Sequence, residues 1–274
     1  MLPNRLLTES PTPKGRDYPS YGANLPAKEI CEGPYRLRFV ESRSELDAVL
    51  RLRFEIFNIE LGEGLDASYL TGRDWDAYDL TCHHLSVWDV RNSELVGTYR
   101  IQTSAMAAAA GGFYSATEFD LKSLPSSVVD DSVEVGRACI AQSHRNTQVL
   151  FLLWKGLAAY LQHNRKRYLF GCCSLTSQNQ NEGLAFYHSF KAKGQVHPEF
   201  VVLPKPGYEC REDGRCPGSS ARLVVPRLFR TYLRFGAKVC GPPAIDRRFK
   251  TIDFLVLFDV AEMGEMSRRM FFGE

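Results

Sequence analysis

Apolar residues recur along this chain with two spacings, and each spacing predicts one kind of element. Alternation with a period of two, typical of half-buried strands, marks residues 35–40, 84–90, 95–102, 132–141, 168–173, 196–202 and 253–258. Spacings of three and four predict helices after Ser42 or Ser44, either of which can act as an N-cap, and over 182–193 and 222–235. The strongest helix signal is the apolar stripe from Leu150 to Leu161. Strands interspersed with helices predict an α/β or α+β sheet.

The stretches between these elements divide the chain. Residues 1–33 contain several prolines and little periodicity, which predicts an extended or partly disordered arm. We expect a compact core over 34–205 and a C-terminal helix-strand extension over 206–274 that packs on this core. The Met106–Gly112 run and the residues up to Leu124 predict a lid or an inserted helix.

Charge and hydropathy exclude several classes of protein. The 34 Lys and Arg nearly balance the 32 Asp and Glu, without the basic excess of a dedicated nucleic-acid-binding protein. The most apolar segment, 149–161, contains Lys155 and is too short to span a bilayer. The N-terminal residues lack the apolar core of a signal peptide. We therefore expect a cytoplasmic protein.

The 8 cysteines are scattered among apolar residues, which predicts reduced and mostly buried thiols. Cys210 and Cys216 could form half of a zinc site. Because no second pair with metal-ligand spacing completes it, we expect no metal.

Three charged residues fall on predicted strands where the pattern calls for apolar side chains. They are Glu134 and Arg137 on strand 132–141 and Arg100 on the strand before it. A charge in such a place is costly unless it is paired or functional. Strict alternation puts Glu134 and Arg137 on opposite faces, and a bulge at Gly136 would bring them together. A polar cleft is favoured over separate salt bridges.

The turn before the long helix is a candidate anion site, because a helix N-terminus offers unpaired N–H groups and a partial positive charge. Its residues are Gln142, Ser143, His144, Arg145 and Asn146. An ordinary surface turn is the alternative, since the turn has no glycine-rich cradle.

Several short motifs, taken in order, resemble a known group of enzymes. They are Arg53-Phe54-Glu55-Ile56-Phe57, Asp76-x-x-Asp79, His84-Leu85-Ser86-Val87, Gly97-Thr98-Tyr99-Arg100, Glu134-x-x-Arg137, Gly241-Pro242-Pro243-Ala244-Ile245-Asp246 and Thr251-Ile252-Asp253-Phe254. Their order and spacing resemble the GNAT N-acyltransferases, and in particular the ornithine-lipid Nα-acyltransferases and N-acyl amino acid synthases, which are related to autoinducer (acyl-homoserine lactone) synthases. The resemblance covers roughly residues 35–272.

The resemblance implies a GNAT acyl-CoA N-acyltransferase fold, with a mixed, splayed sheet flanked by helices. It implies transfer of a long-chain (3-hydroxy)acyl group from acyl carrier protein to the α-amine of an amino acid, ornithine-like or other, giving an N-acyl amino acid or lyso-aminolipid. The donor phosphate would lie at 142–148. Because that turn lacks the glycines of the acetyl-CoA pattern, a carrier-protein 4′-phosphopantetheine thioester is favoured over acyl-CoA as co-substrate, and no bound cofactor is expected.

The resemblance also implies roles for individual residues. Amide formation needs a base for the amine, donors for the oxyanion and an acid for the leaving thiolate. Glu134 is the candidate base, Arg137 a carboxylate-holding catalytic residue, and Tyr187 the candidate acid. Backbone N–H groups near the bulge would serve the oxyanion. Residues assigned to acceptor binding are Arg53, Asp76, Asp79, His84 and Arg100.

Two alternatives remain open: an acyl-homoserine-lactone-type signal synthase, and a non-catalytic module that binds acyl carriers or lipids. The expected partners are acyl carrier protein and an amino acid, with no nucleic acid. The basic cluster 165–167 could receive the carrier, although a solvated helix end explains it equally well. The amphipathic end, 266–272, could contact the inner face of the membrane, or simply dock on the sheet.

Overall fold

A mixed β-sheet forms the centre of the protein. The computed structural model describes residues 18–212 and 225–273, and within them nine strands share this sheet. The strands are β1 (Ile30–Glu32), β2 (Tyr35–Phe39), β3 (His83–Asp89), β4 (Glu94–Thr103), β5 (Ser132–Ile140), β6 (Tyr168–Leu175), β7 (Lys238–Val239), β8 (Ala244–Asp246) and β9 (Thr251–Asp259). Their order across the sheet is β1-β2-β3-β4-β5-β6-β9-β7, and β8 pairs with β9.

Helices cover both faces of the sheet. They are α1 (Arg43–Phe54), α2 (Ser68–Thr71), α3 (Ser104–Ala109), α4 (Ser126–Asp130), α5 (Thr147–Asn164), α6 (Gln180–Ala192), α7 (Arg227–Arg234) and α8 (Glu265–Phe272). Helix α1 begins at Ser42, whose hydroxyl accepts the Glu45 N–H, and α5 begins at Asn146, whose side chain accepts the Val149 N–H. Among the described residues, no helix has the length and apolar character needed to cross a bilayer.

The sheet splits between β5 and β6. These two strands pair in parallel only over Ser132–Glu134 and Tyr168–Phe170, whereas the other neighbours are antiparallel. At the point of divergence, a Cβ on Gly171 would lie 2.0 Å from the carbonyl oxygen of Val135. Glycine therefore permits the close approach of the two backbones that ends their pairing. Beyond it the strands separate and leave an opening through the sheet.

Two apolar cores lie on opposite faces of the sheet. The larger one packs the stripe of α5, including Leu153, Trp154 and Leu157, against β-strand side chains such as Val256 and Phe258. The smaller one lies on the other face, around the segments that follow β4. It is formed by Phe113, Phe119, Val128, Phe170, Leu255, Leu257 and their neighbours. The opening between β5 and β6 therefore joins two sides that are each packed with apolar residues.

The mixed sheet flanked by helices confirms the fold class expected from the sequence. The strand predicted at 196–202 is wrong: Val196 forms only an isolated bridge to Val239. The reason is local, since the His197 side chain accepts the N–H groups of Glu199 and Phe200, 3.2 Å and 3.0 Å away, and Pro198 has no N–H to donate. The start of the predicted helix at Arg222 lies outside the described residues, and α7 covers its second half.

The segments at both ends of the described chain complete the central sheet. Strand β9 pairs with β6 from Tyr168 opposite Asp259 to Leu175 opposite Ile252, so residues after 206 supply an interior strand. At the other edge, β1 extends the sheet beyond the position of Tyr35. Residues 1–17 of the expected arm lie outside the described range.

Candidate active site

A cavity of about 310 Å³ occupies the opening between β5 and β6, a volume at the lower end of the range for small-molecule sites. One end is polar, with Glu63, Arg100, Glu134, Arg137 and Asp253 in its wall. The other end is apolar and is lined by Trp154, Leu157, Leu228, Phe229, Tyr232 and Phe258. The cavity thus connects a charged site to an apolar site through the sheet.

The polar end rests on six charges that form a closed ring, of which four are buried and two, Asp76 and Arg137, are partly buried. Each of three arginines contacts two aspartates, and each aspartate contacts two arginines. In order around the ring they are Asp74, Arg53, Asp79, Arg100, Asp76 and Arg137. All six groups are therefore compensated by opposite charges, as buried ions must be.

Arg53 holds the deepest part of the ring. Its side chain and those of Asp74 and Asp79 have no exposed surface. The guanidinium lies 2.7 Å from Asp74 and 2.6 Å from Asp79. Burial alone would raise the pKa of Asp79, but Arg53 and Arg100 outweigh it and hold this pKa well below its ordinary value.

The other two arginines close the ring on the cavity side. Arg100 donates to Asp76 at 2.6 Å and to Asp79 at 3.1 Å. Arg137 lies 3.2 Å from an oxygen of Asp76 and 3.2 Å from one of Asp74. Both arginines also line the cavity, so the ring presents two fixed cations to whatever enters it.

The D-x-x-D motif has a structural explanation. Asp76 caps a 3-10 turn over Ala77–Leu80, accepting the Tyr78 N–H at 2.9 Å, while Asp79 accepts the Asp76 N–H at 2.8 Å. This capping box fixes both carboxylates where the arginines reach them. His84 lies beneath the turn, with its Nε2 3.2 Å from the Asp79 carbonyl oxygen. Burial lowers the pKa of His84 to about 3, so its imidazole is neutral and adds no charge to the arginine–aspartate ring.

A bulge turns Arg137 toward the cavity. Arg100 pairs with Gly136 and Thr98 with Cys139, so two residues of β5 lie opposite Tyr99 alone. Arg137 has a φ of 48°, a left-handed conformation that is strained for a non-glycine residue and that often marks a functional position. The bulge expected at Gly136 therefore falls one residue later.

The guanidinium groups of this site are also packed against aromatic rings. The Cζ atom of Arg137 lies 4.2 Å from the ring centre of Phe249 and 4.7 Å from that of Tyr114, and Arg100 lies 5.1 Å from Tyr114. Such cation–π contacts restrict the rotamers of both arginines.

Glu134 binds the segment that carries Tyr114. Its carboxylate accepts N–H groups from Gln102 Nε2 at 2.5 Å, Tyr114 at 2.9 Å and Ser115 at 2.7 Å. Three donors occupy most of the lone pairs of a carboxylate. Glu134 is therefore joined to Arg137 through Tyr114, and both line the cavity.

Glu63 also lines the cavity, although the sequence pattern did not predict it as a site residue. It accepts a hydrogen bond from the Thr176 hydroxyl and is 5% exposed. Burial, with a smaller contribution from Asp253, raises its pKa to about 7. The one sequence feature that marks Glu63 is its position between two glycines, Gly62 and Gly64. Their φ values of 67° and 81° allow the tight loop that carries it.

The remaining residues expected at the site lie outside the cavity wall. Tyr187 is on α6, with the Lys191 ammonium 5.0 Å from its ring centre. In the turn before α5, Arg145 forms two hydrogen bonds to Glu60, at 2.6 Å and 2.8 Å, and His144 lies 3.3 Å from Asp89. Gln142 and Ser143 are exposed on that turn, and Asn146 caps the helix. Cys216 lies outside the described residues.

The splayed sheet, the long helix after β5 and the through-going cavity define a GNAT-type acyltransferase. The model of the acetyltransferase (GNAT) domain matches residues 52–155. An L-ornithine N(alpha)-acyltransferase from Agrobacterium fabrum (strain C58) is 30% identical over 84% of this chain and 83% of its own length. The corresponding enzyme of Brucella abortus (strain 2308) is 29% identical over 83% and 85%.

The chain therefore belongs to the L-ornithine Nα-acyltransferase family, and it is an acyltransferase. Among solved structures, an N-acyl amino acid synthase from uncultured soil microbes aligns with 84% of this chain and 93% of its own, at 11% identity and a TM-score of 0.48.

Replacing Arg53 tests the charge ring. Arg53→Met leaves Asp74 and Asp79 each with one arginine fewer, so we expect a loss of roughly 3–5 kcal/mol in the free energy of unfolding at neutral pH. Tryptophan fluorescence during denaturant unfolding measures it. The matched control is Arg51→Met, which removes an exposed i,i+4 pair with Asp47 on the same helix and should change stability by about 0.5 kcal/mol or less.

The pH dependence of this effect has a definite sign. Because the folded pKa of Asp79 lies below its unfolded value, its ion pairs contribute stability above pH of about 4, and this contribution is lost as pH falls toward the folded pKa. In Arg53→Met a carboxylate short of partners takes up a proton more readily, so the difference from wild type should narrow on acidification. If Arg53→Met and Arg51→Met lose the same free energy of unfolding, the charge ring does not stabilise the fold as described.

Proposed function

We propose that this acyltransferase moves a long-chain acyl group, with or without a 3-hydroxyl, from acyl carrier protein to the α-amine of an ornithine-like amino acid. The observation that carries the proposal is the cavity that joins two fixed arginines at one end to an apolar wall at the other. The product would be an N-acyl amino acid, or lyso-aminolipid. The relatives named for ornithine Nα-acylation support the choice of acceptor.

The acceptor binds at the polar end in this proposal. Arg100 and Arg137 each use part of their donor set on the aspartates, and a guanidinium carries five N–H groups. The remaining N–H groups, held in a planar fork, suit the two oxygens of an α-carboxylate. The α-amine would then lie close to the bulge, beside the thioester carbon.

The donor arm lies in the opening between β5 and β6. The apolar wall formed by Trp154, Leu157 and Phe229 would take the acyl chain. Phe57 also lines the cavity. The donor phosphate is assigned to the turn at Gln142–Asn146, where Arg145 would exchange its contact with Glu60 for the phosphate.

The choice of carrier protein over coenzyme A rests on this turn. It has no glycines to cradle a diphosphate, whereas a carrier-linked phosphopantetheine has a single phosphate.

Of the basic cluster at 165–167, Arg167 forms hydrogen bonds of 2.8 Å and 2.6 Å with Asp259, and Arg165 ends α5. We propose this cluster as part of the carrier's docking surface. For a contact with the membrane, we propose α8, whose Met266 is 80% exposed although Phe271 is buried.

The reaction joins the acceptor nitrogen to the acyl carbon and breaks the carbon–sulfur bond. An ammonium and a thioester give an amide, a free thiol and one proton, so a base must take a proton from the amine. We assign this role to Glu63, whose pKa near 7 matches the task. Glu134 is the alternative; its three hydrogen bonds favour a role in ordering Tyr114 and Ser115.

The other steps use groups near the bulge. Backbone N–H groups around Gly136 to Ala138 would stabilise the tetrahedral oxyanion. The thiolate leaves with a proton, for which Tyr187 remains the candidate acid even though it lies outside the cavity wall.

An acceptor and donor screen tests the proposed function. The pure protein is incubated with palmitoyl or 3-hydroxypalmitoyl carrier protein, or with the matching acyl-CoA. The acceptors offered are a pool of amino acids and, separately, S-adenosylmethionine, and products are identified by mass spectrometry. We expect an Nα-acyl product from a dibasic amino acid with the carrier-protein donor. Formation of an acyl-homoserine lactone from S-adenosylmethionine, or no product from either donor, would contradict the proposal.

The identity of the base is tested by pH profiles. For wild type, kcat/KM should rise as Glu63 loses its proton and level off above a midpoint near 7. In Glu63→Gln, kcat/KM should no longer rise with pH in this range, and activity should fall roughly 10²-fold. Glu134→Gln should lower activity while donor binding is retained, and its kcat/KM should still rise with pH around a midpoint near 7. Loss of this rise in Glu134→Gln alone would make Glu134 the base.

A further inference from the structure

Two buried carboxyl groups in the described part of the chain have oxygens without a hydrogen-bond partner. Glu118 is 1% exposed and Asp253 is 3% exposed. Within the described residues, neither oxygen of Glu118 accepts a hydrogen bond, and neither does Oδ1 of Asp253. An isolated buried carboxylate is among the most costly groups in a protein interior. Their presence calls for an explanation that the reaction described above does not supply.

Asp253 forms part of the cavity wall at its polar end, and Glu118 is its buried neighbour just outside this wall. Asp253 lies on β9 opposite Ser174 of β6, and it lines the cavity together with Ser115 and Cys172. One carboxyl oxygen each of Glu118 and Asp253 and the Cys172 sulfur lie within 4.8 Å of one another. Glu118 follows the turn that Glu134 binds at Ser115. The pair is therefore attached to the same segment as the proposed acceptor site.

The charge around this pair is predominantly negative. Asp246 and Glu63 are also close enough to affect it, and Asp246 already accepts the N–H groups of Arg248 and Phe249, at 2.7 Å and 2.9 Å. Burial, then Asp253, raises the pKa of Glu118 to about 11, and burial raises that of Asp253. Arg137 is the cation that opposes these shifts, and its charge is shared with the ring. A cation bound between the two carboxyl groups would lower both of these pKa values.

The neighbouring groups favour a primary ammonium over other cations. Lys205, whose backbone N–H donates to the Glu118 carbonyl oxygen, donates its Nζ to the Ala116 carbonyl oxygen, so its own ammonium is already occupied. Cys172 adds only one thiol, a weak hydrogen-bond acceptor, to the two carboxyl groups. An ammonium needs three acceptors, and the free oxygens of the two carboxyl groups provide them.

We propose that Glu118 and Asp253 form the subsite for the side-chain ammonium of the acceptor. This inference rests on the proposed function, because it places the α-carboxylate on Arg137 and Arg100 and the side-chain cation across the cavity. The subsite would select diamino acids over neutral amino acids of the same length. When the site is empty, a proton shared between the two carboxyl groups would keep both of them satisfied.

Kinetics with two acceptors test the subsite. Ornithine is compared with norvaline, which has the same carbon skeleton without the terminal ammonium. In Glu118→Gln the amide can still donate to Asp253, but the negative charge is lost. We expect KM for ornithine to rise roughly tenfold or more, with kcat little changed and norvaline unaffected. Asp253→Asn should give the same pattern, and the exposed control Glu94→Gln should change neither acceptor.

Other outcomes would overturn the subsite. If both acceptors lose activity by the same factor, or if neither does, the pair is structural. If EDTA abolishes activity and a divalent metal alone restores it, the cluster is a metal site. Should wild type acylate no amino acid, the proposed function fails; calorimetric binding then decides the subsite. Tighter binding of ornithine than norvaline by wild type, lost in Glu118→Gln, supports it, and equal binding contradicts it.

Discussion

The ring of three arginines and three aspartates is the constraint on which the site depends. A buried ion pair contributes little net stability, because desolvation cancels most of the attraction, yet removing one member leaves an uncompensated charge. Six charges in a closed ring extend this coupling: each arginine holds two carboxylates, and each carboxylate two arginines. The ring ties helix α1, the D-x-x-D turn and strands β4 and β5 into one rigid unit.

The consequence for function is that two guanidinium groups are positioned before any substrate arrives. Arg100 and Arg137 are fixed by aspartates on one side and by Tyr114 and Phe249 on the other. Tyr114 is in turn held by Glu134. Such a prearranged site spends no binding energy on ordering its own side chains. In the proposed function, a thioester reaches the same point from the apolar side, through the opening between β5 and β6.

Much of this fold could be predicted from the sequence, because it depends on local patterns. The stripe on α5, the Ser42 cap and the alternation along β3, β4 and β5 are signals within a few residues. The misplaced charges on β4 and β5 also indicated a cleft. The sequence could not reveal which charges meet, because the ring joins residues that are at least 21 positions apart, such as Arg53 with Asp74 and Asp76 with Arg137. The sequence also could not reveal that Glu63 lines the cavity, or that Glu118 lies close to Asp253. The latter two residues come together only when β9 enters the sheet.

In the proposed function, Arg137 and Arg100 of the ring bind the α-carboxylate of the acceptor. The most direct test compares wild-type kcat/KM for ornithine and for its methyl ester, with the same carrier-protein donor. Esterification removes the carboxylate charge and makes the amine a weaker base, so more of it is unprotonated. Even so, we expect the ester to react roughly tenfold or more slowly than ornithine, because its bidentate contact with the arginines is lost. An ester that reacts as fast as ornithine would show that these arginines do not bind the carboxylate.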